Sequence, residues 1–583
     1  MNMRLIPLCR RVLLFLGTVS VLLGQQGDQK EKEKDLLSSL NWKQWTPGKV
    51  PVFSAEDSLA KFKVAPGFKV ELVASEPFVK DPVFVDWDDQ GRMWVGELRS
   101  YMMDLDGSGE NKPISRVMVL EDTDRDGKMD KATPFLEDMV NVRCLAFVDE
   151  GVLVVESGAL WLCQDKDGDL RCDQKEKLLE FATTAHDNIE HAENALHFAL
   201  DNWMYNSKST RKLAWRLGKL IEQPATARGQ WGMATDSYGR LYYNSNSVWF
   251  EADWEMYDHQ WPRQRTKARA PTKQVFAIRP NTALNRNYRP GHILEDGRVA
   301  RISTISGLAV HSHGAYGDAW EGAIFSMSPG TNTVGAFLPT KSFPQADHYV
   351  HKLYPDPIWK KREFLASTDE RFRPVNASIG PDGCLYVVDF YRGVIQHKRF
   401  LTSYLRRQSA ERGLDKPIGL GRIYRIIPEG HTPVPPPQDL VSGLSHPYLW
   451  WRLRSQKRMV EGNRLDLAPA ITELAEDAKA TPHARVHALW VLAGLEKLEE
   501  STIEQAIQDP HWFISMTGLR LAGESKGVGA FFPDEFKGLA EMVSQNPQAP
   551  SILAAYAGLT SKSGYPTRVI QPYKDKEADW LVK

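Results

Sequence analysis

Short apolar and aromatic runs, each entered through a polar or glycine turn, recur along the first 430 residues. They stand at Asp88 to Glu97 (DDQGRMWVGE), Asp149 to Ser157 (DEGVLVVES), Asp201 to Ser207 (DNWMYNS), Asp236 to Ser245 (DSYGRLYYNS) and Trp320 to Ser328 (WEGAIFSMS). The fullest is Glu363 to Gly393, where the Asp382-Gly383 turn leads into Leu385, Tyr386, Val387 and Val388. Turn residues followed by branched and aromatic residues predict β-hairpins. Their recurrence at intervals of one or two blades predicts a β-propeller of six or seven blades. A β-sandwich with long insertions is the alternative. Gly421 to Gly430 (GRIYRIIPEG) reads as the closing strand, and ordered structure is expected to begin near Leu59.

The period then changes. His431 to Gln438 (HTPVPPPQ) cannot continue a sheet and reads as a linker. Beyond it Ala484, His487, Ala488, Val491, Leu492 and Leu495 fall at helical spacing, as do Trp512, Met516, Leu519 and Ala522. Short, proline-punctuated helices predict a HEAT-like α-solenoid, a surface suited to a protein partner. No polar capping repeat is evident after about Ser561. The chain thus divides into a signal peptide (1–24), a charged N-terminal segment (25–58), a propeller (59–430), a linker (431–443) and helical repeats (444–583). Overall the fold class is mainly β plus α.

The leader reading rests on Arg4, Arg10 and Arg11 ahead of an apolar run, Val12 to Leu23, that is short for a membrane span. Cleavage near Gly24 gives an exported, periplasmic or cell-envelope protein; an uncleaved anchor is the alternative. Loss of three arginines takes the net charge from −1 to −4. That balance argues against nucleic acid as the main partner. Cys144, Cys163, Cys172 and Cys384 would remain, an even number that permits disulfides.

Asp122, Asp124, Asp126 and Asp130 stand in DTDRDGKMD, with Gly127 at the sharp turn. Alternate carboxylates from one tight loop suit calcium; an acidic turn without metal is the alternative. Thr133 at position twelve rules out a full EF-hand. Asp165, Asp167, Asp169 and Asp173 repeat the spacing in DKDGDLRCD, with Leu170 in place of the glycine. Cys163 and Cys172 bracket this loop, and a disulfide between them would rigidify it. The His186 to His191 spacing does not match known zinc motifs on a helix. His311 and His313 are expected on one strand face as ordinary polar residues. Arg371 and Arg373 offer either a ligand-anion site or ordinary ion pairs. No phosphate loop, GxGxxG unit or nucleophile elbow is present.

The stretch His191 to Tyr205 (HAENALHFALDNWMY) resembles the soluble quinoprotein glucose/sorbosone dehydrogenase propellers. The resemblance implies that His191 is the general base toward a substrate hydroxyl, with hydride passing to pyrroloquinoline quinone (PQQ). It implies Arg228, in RGQWG, and Arg373 as cofactor-binding cations, with Trp231, Trp249 and Trp261 either stacking on a sugar or forming blade core. LEDTDRDGKMDK, STDERFRPVNASIGPDGCLYVVDFYRGVIQH and GRIYR are also similar to the "membrane-bound dehydrogenase" proteins of planctomycetes and verrucomicrobia. Those join such a propeller to HEAT-like repeats and commonly to a cytochrome c domain. No CxxCH stands in this sequence, so a separate cytochrome c acceptor is implied. A non-catalytic propeller and solenoid binding carbohydrate or protein is the competing expectation.

Overall fold

A computed structural model describes residues 48–181, 189–253, 267–281, 284, 292–340 and 348–524. The leader, the charged run Asp28 to Asp35, His186, Trp261 and everything after residue 524 lie outside the described residues.

Six antiparallel blades surround one axis. Their inner strands are Pro82–Trp87, Cys144–Val148, Asn194–Phe198, Met233–Thr235, Leu308–His311 and Pro374–Ile379. The first four blades run outward in chain order. In the fifth, the third strand, Thr333–Pro339, pairs at its outer edge with both Tyr349–Lys352 and Leu365–Ser367. The first strand, Phe62–Val64, joins the fifth blade by pairing with Leu365–Ser367. The sixth is closed by the next strand, Phe68–Ser75, which pairs with Arg422–Pro428. The expected closing strand is therefore third in its blade, and the outermost position belongs to a strand more than 300 residues earlier. Closing the ring this way joins both ends of the propeller within one blade.

The middle strands are continuous apolar runs because neighbouring blades cover both faces. All five residues of the middle strand Met93–Glu97 are buried, as are all five of the inner strand Cys144–Val148. Trp94, for example, lies edge-on to Phe135 in its own blade and Phe147 in the next.

The repeated turns share a physical device. Asp88 Oδ1 accepts from the amides of Gln90 and Arg92, and Oδ2 accepts from Trp94 Nε1 at 2.9 Å. Asp236 does the same with Tyr238 N, Arg240 N and the Tyr242 hydroxyl. Asp382 takes Cys384 N and the Tyr386 hydroxyl, and Asp201 takes the Tyr205 hydroxyl. At Asp88, Asp236 and Asp382 one carboxylate thus closes the turn and anchors the aromatic residue of the following strand, and Asp201 supplies the anchor to Tyr205. That is why acid, glycine and aromatic recur together.

These turns, between the first and second strands of the blades, form one face of the propeller, and the helices sit on it. Arg454 and Arg458 of the helix Leu449–Glu461 pair with Asp89 in blade one. Arg458 also reaches Asp149 in blade two. Gln456 donates to Leu200 O in blade three at 2.7 Å. Tyr238 of blade four stacks on Trp512 at 5.4 Å. In blade five Leu449 N donates to His313 O, and in blade six Trp451 Nε1 donates to Pro381 O. All six blades hold the helices. Helices Ala468–Glu476 and Pro482–Gly494 pack as one pair, Glu500–Ile507 and Trp512–Glu524 as a second. The proline-rich stretch ends in a short helix, Leu440–Gly443, opened by an Asp439/Ser442 capping box. Among the described residues no helix is long and apolar enough to cross a membrane.

Candidate functional site

The opposite face carries the connections entering each inner strand and the loops between second and third strands. Glu190 sits there, in the 3-10 turn Ile189–His191 leading into blade three. Its Oε1 accepts from the Tyr101 hydroxyl at 2.7 Å and from His397 N at 3.0 Å. Tyr101 belongs to a loop of blade one and His397 to a loop of blade six. His397 Nε2 contacts Glu110 Oε2 at 3.1 Å, and Lys398 Nζ pairs with the same oxygen at 2.8 Å. Burial pushes the Glu190 carboxyl up, with the Tyr101 and His397 contacts opposing, and burial beside Glu190 pushes the Tyr101 phenol well up. His397 Nδ1, Glu110 Oε1 and both amide atoms of Gln396 have no partner among the described residues. A phenol, two carboxylates and an imidazole in contact, drawn from three blades, exceed what strand packing requires.

Sequence reasoning missed Tyr101, Glu110, Glu190 and His397. Their signal was faint: Glu190 precedes His191, and His397 closes the GVIQH segment quoted above. They join only because the ring brings blades one, three and six together.

His191 ends the same 3-10 turn as Glu190; its side chain lies outside the described residues. Arg228 is buried, with Nε on Asp253 Oδ2 at 2.7 Å and Nη1 on Thr226 O. Arg373 is buried with Nε on Arg392 O, Nη1 on Pro329 O and Nη2 on Gly393 O, all at 2.7–2.8 Å. Arg371 likewise grips the carbonyls of Pro51, Gly413 and Lys416. A quinone tricarboxylate needs guanidinium faces open to it. Arg228 and Arg373 do not fit that role as placed, because a buried carboxylate holds one and a cage of carbonyls the other. Arg143 and Arg392, which flank Tyr101 and Glu190, each keep one buried N–H without a partner among the described residues.

Trp249 is blade core, with Nε1 on Gln274 O, whereas Trp231 is half-buried and donates to Asn246 Oδ1. His311 and His313 do not share a strand face, because the strand stops at His311 and His313 has φ +49°. His311 bonds Trp320 O and Tyr316 N; His313 contacts Ser237 Oγ on blade four.

The two acidic loops lie on the turn face. Carboxylate oxygens of Asp122, Asp124 and Asp126 lie within 4.8 Å of one another, as do those of Asp165, Asp167 and Asp173. Asp130 instead braces Thr123, and Asp169 caps Arg171 N. Cys163 and Cys172 are side by side as free thiols.

The family model for a domain of unknown function, DUF7133, matches residues 54–430. The chain belongs to that family. A comparison with curated protein sequences finds no match. Among solved structures, the PQQ domain of pyranose dehydrogenase from Coprinopsis cinerea is 11% identical over 66% of this chain and 99% of that one, with a TM-score of 0.36. The soluble aldose sugar dehydrogenase of Escherichia coli is 10% identical over 62% and 100%, at 0.35. Virginiamycin B lyase of Staphylococcus aureus is 11% identical over 61% and 99%, at 0.31.

Proposed function

We propose that the chain is an exported enzyme acting on a small hydroxylated molecule, a sugar or an alcohol, at the connection face of its propeller. His191 takes the proton of the substrate hydroxyl in this reading. The observation that carries it is the buried Tyr101–Glu190–His397–Glu110 chain, which runs directly into the turn bearing His191. Glu190 holds that turn to blades one and six, and His397 links it to a second carboxylate. A dehydrogenase that uses PQQ and passes electrons to a separate cytochrome c would need cations other than Arg228 and Arg373. Calcium in the aspartate loops belongs to the same proposal, supported by three converging carboxylates in each.

The test is PQQ titration of the purified chain with calcium, following absorbance and dye reduction across sugars and alcohols. Saturable binding with substrate-dependent dye reduction, lost in His191→Ala and slowed in Glu190→Gln, is expected. No binding at tens of micromolar PQQ favours the second reading, a non-catalytic propeller that recognises carbohydrate, or a protein through its helices. The committed partners of Arg228 and Arg373 support that reading.

A further inference from the structure

A cavity of about 240 Å³ lies on the propeller axis at the turn face, between the inner strands and the helix Leu449–Glu461. It is at the other end of the molecule from the site discussed above. About half of its wall is aliphatic, and Asp86, His197, His313, Trp450, Arg454 and Lys457 also line it.

These polar groups are poorly matched to one another. Asp86 accepts from the Trp87 amide at 2.8 Å. It feels the charges of Arg454 and Lys457, yet it makes no ion pair with either, since Arg454 pairs with Asp89 and Lys457 with Glu461. His197 Nε2 is buried and has no hydrogen-bond partner among the described residues. Burial holds this imidazole neutral, with its pKa pushed down to about 4. His313 is tied through Nδ1 to Ser237. Trp450 adds an indole at the helix end of the space.

The occupant follows by elimination. An anion would meet Asp86, a cation would meet Arg454 and Lys457, and an apolar molecule would leave Asp86 and His197 unsatisfied in a dry space. An uncharged molecule with several hydroxyls satisfies all of them: it donates to Asp86 and His197, accepts from the cations, and lays its C–H face on Trp450 and the aliphatic wall. The volume equals roughly eight waters' share of liquid, enough for a monosaccharide. We infer that the axial cavity beneath the helices is a binding site for an uncharged, monosaccharide-sized polyol, with Asp86 and His197 as its recognition groups. This inference does not rest on the proposed enzymatic reading.

Isothermal titration of the purified full chain with uncharged hexoses and hexitols tests it, together with a crystal soaked in the sugar that binds. Saturable binding and sugar density between Asp86, His197 and Trp450 are expected. Asp86→Asn and His197→Leu should each weaken binding by about tenfold or more, with circular dichroism unchanged. His191→Ala should bind as the parent does, which separates this site from the connection face. Waters alone in the cavity at saturating sugar, no heat with any sugar, or affinity unmoved by both variants overturns the inference.

Discussion

Leu170 occupies in its loop the place that Gly127 holds in the other. Gly127 N donates to Asp122 Oδ2 at 2.9 Å, and Leu170 N donates to Asp165 Oδ2 at 2.8 Å. Both are left-handed, at φ +91° and +68°. Glycine adopts that conformation freely, whereas a leucine there carries strain of about 1–2 kcal/mol. The second loop has kept the carboxylate geometry without the residue that makes it easy.

Calcium titration by calorimetry should therefore resolve two classes of site, with the Asp122 loop tighter. Asp122→Asn should remove the tight one, and Leu170→Gly should tighten the weak one. Heats absent from the parent chain, or a tight site that survives Asp122→Asn, would count against metal in these loops.

The architecture was legible in the sequence because local chemistry makes it. Asp88, Asp236 and Asp382 each close a turn and anchor the next aromatic within a few residues, and Asp201 anchors Tyr205. What escaped was long-range. Phe68–Ser75 pairs with Arg422–Pro428 across most of the chain, and nothing local in either strand announces its partner. The arginines before Pro374 left two readings open in the sequence for the same reason. Two close cations suit either a ligand anion or ion pairs, and the carbonyls of distant loops that they hold are supplied only by the fold. Glu190 and His397, 207 residues apart, meet only in the closed ring.

Arg373 is expected to behave as a clamp. Lysine cannot satisfy three carbonyls arranged around a planar fork. Arg373→Lys should therefore lower stability by about 3 kcal/mol or more, since buried carbonyls lose donors. Urea unfolding without added cofactor reads this directly. A variant as stable as the parent but unable to bind PQQ would restore the arginine to a ligand role.

Asp86 makes stability depend on pH with a definite sign. Burial raises its carboxyl from 3.8 to about 6. Between those values the folded chain holds the proton that the unfolded chain has released, so this group's contribution to stability falls as pH rises. It is fully favourable below about 4 and lost above about 6. Asp86→Asn should stabilise the free protein at pH 8 by on the order of 2–3 kcal/mol and do little near pH 3.5. Denaturant midpoints at the two pH values are the check. An equal shift at both would mean the effect is packing rather than protonation.

The helices should be energetically part of the propeller rather than an appendage. Tyr238 carries the contact in blade four: it stacks on Trp512 and meets His483 and Phe513 edge-on. Arg520 adds a buried ion pair to Asp201 of blade three at 2.7 Å. Removing the Tyr238 ring leaves a hole between turn and helices that the inner strands cannot refill, with a loss of roughly 2–4 kcal/mol. Tyr238→Ala should then speed amide exchange across residues 468–524, leaving the middle strand of blade one, Met93–Glu97, protected. If exchange quickened equally in that strand, the turn would be a global core contact. If it changed nowhere, the helices would be held by the capping helix Leu449–Glu461 alone, and the axial cavity beneath it would have a single lid.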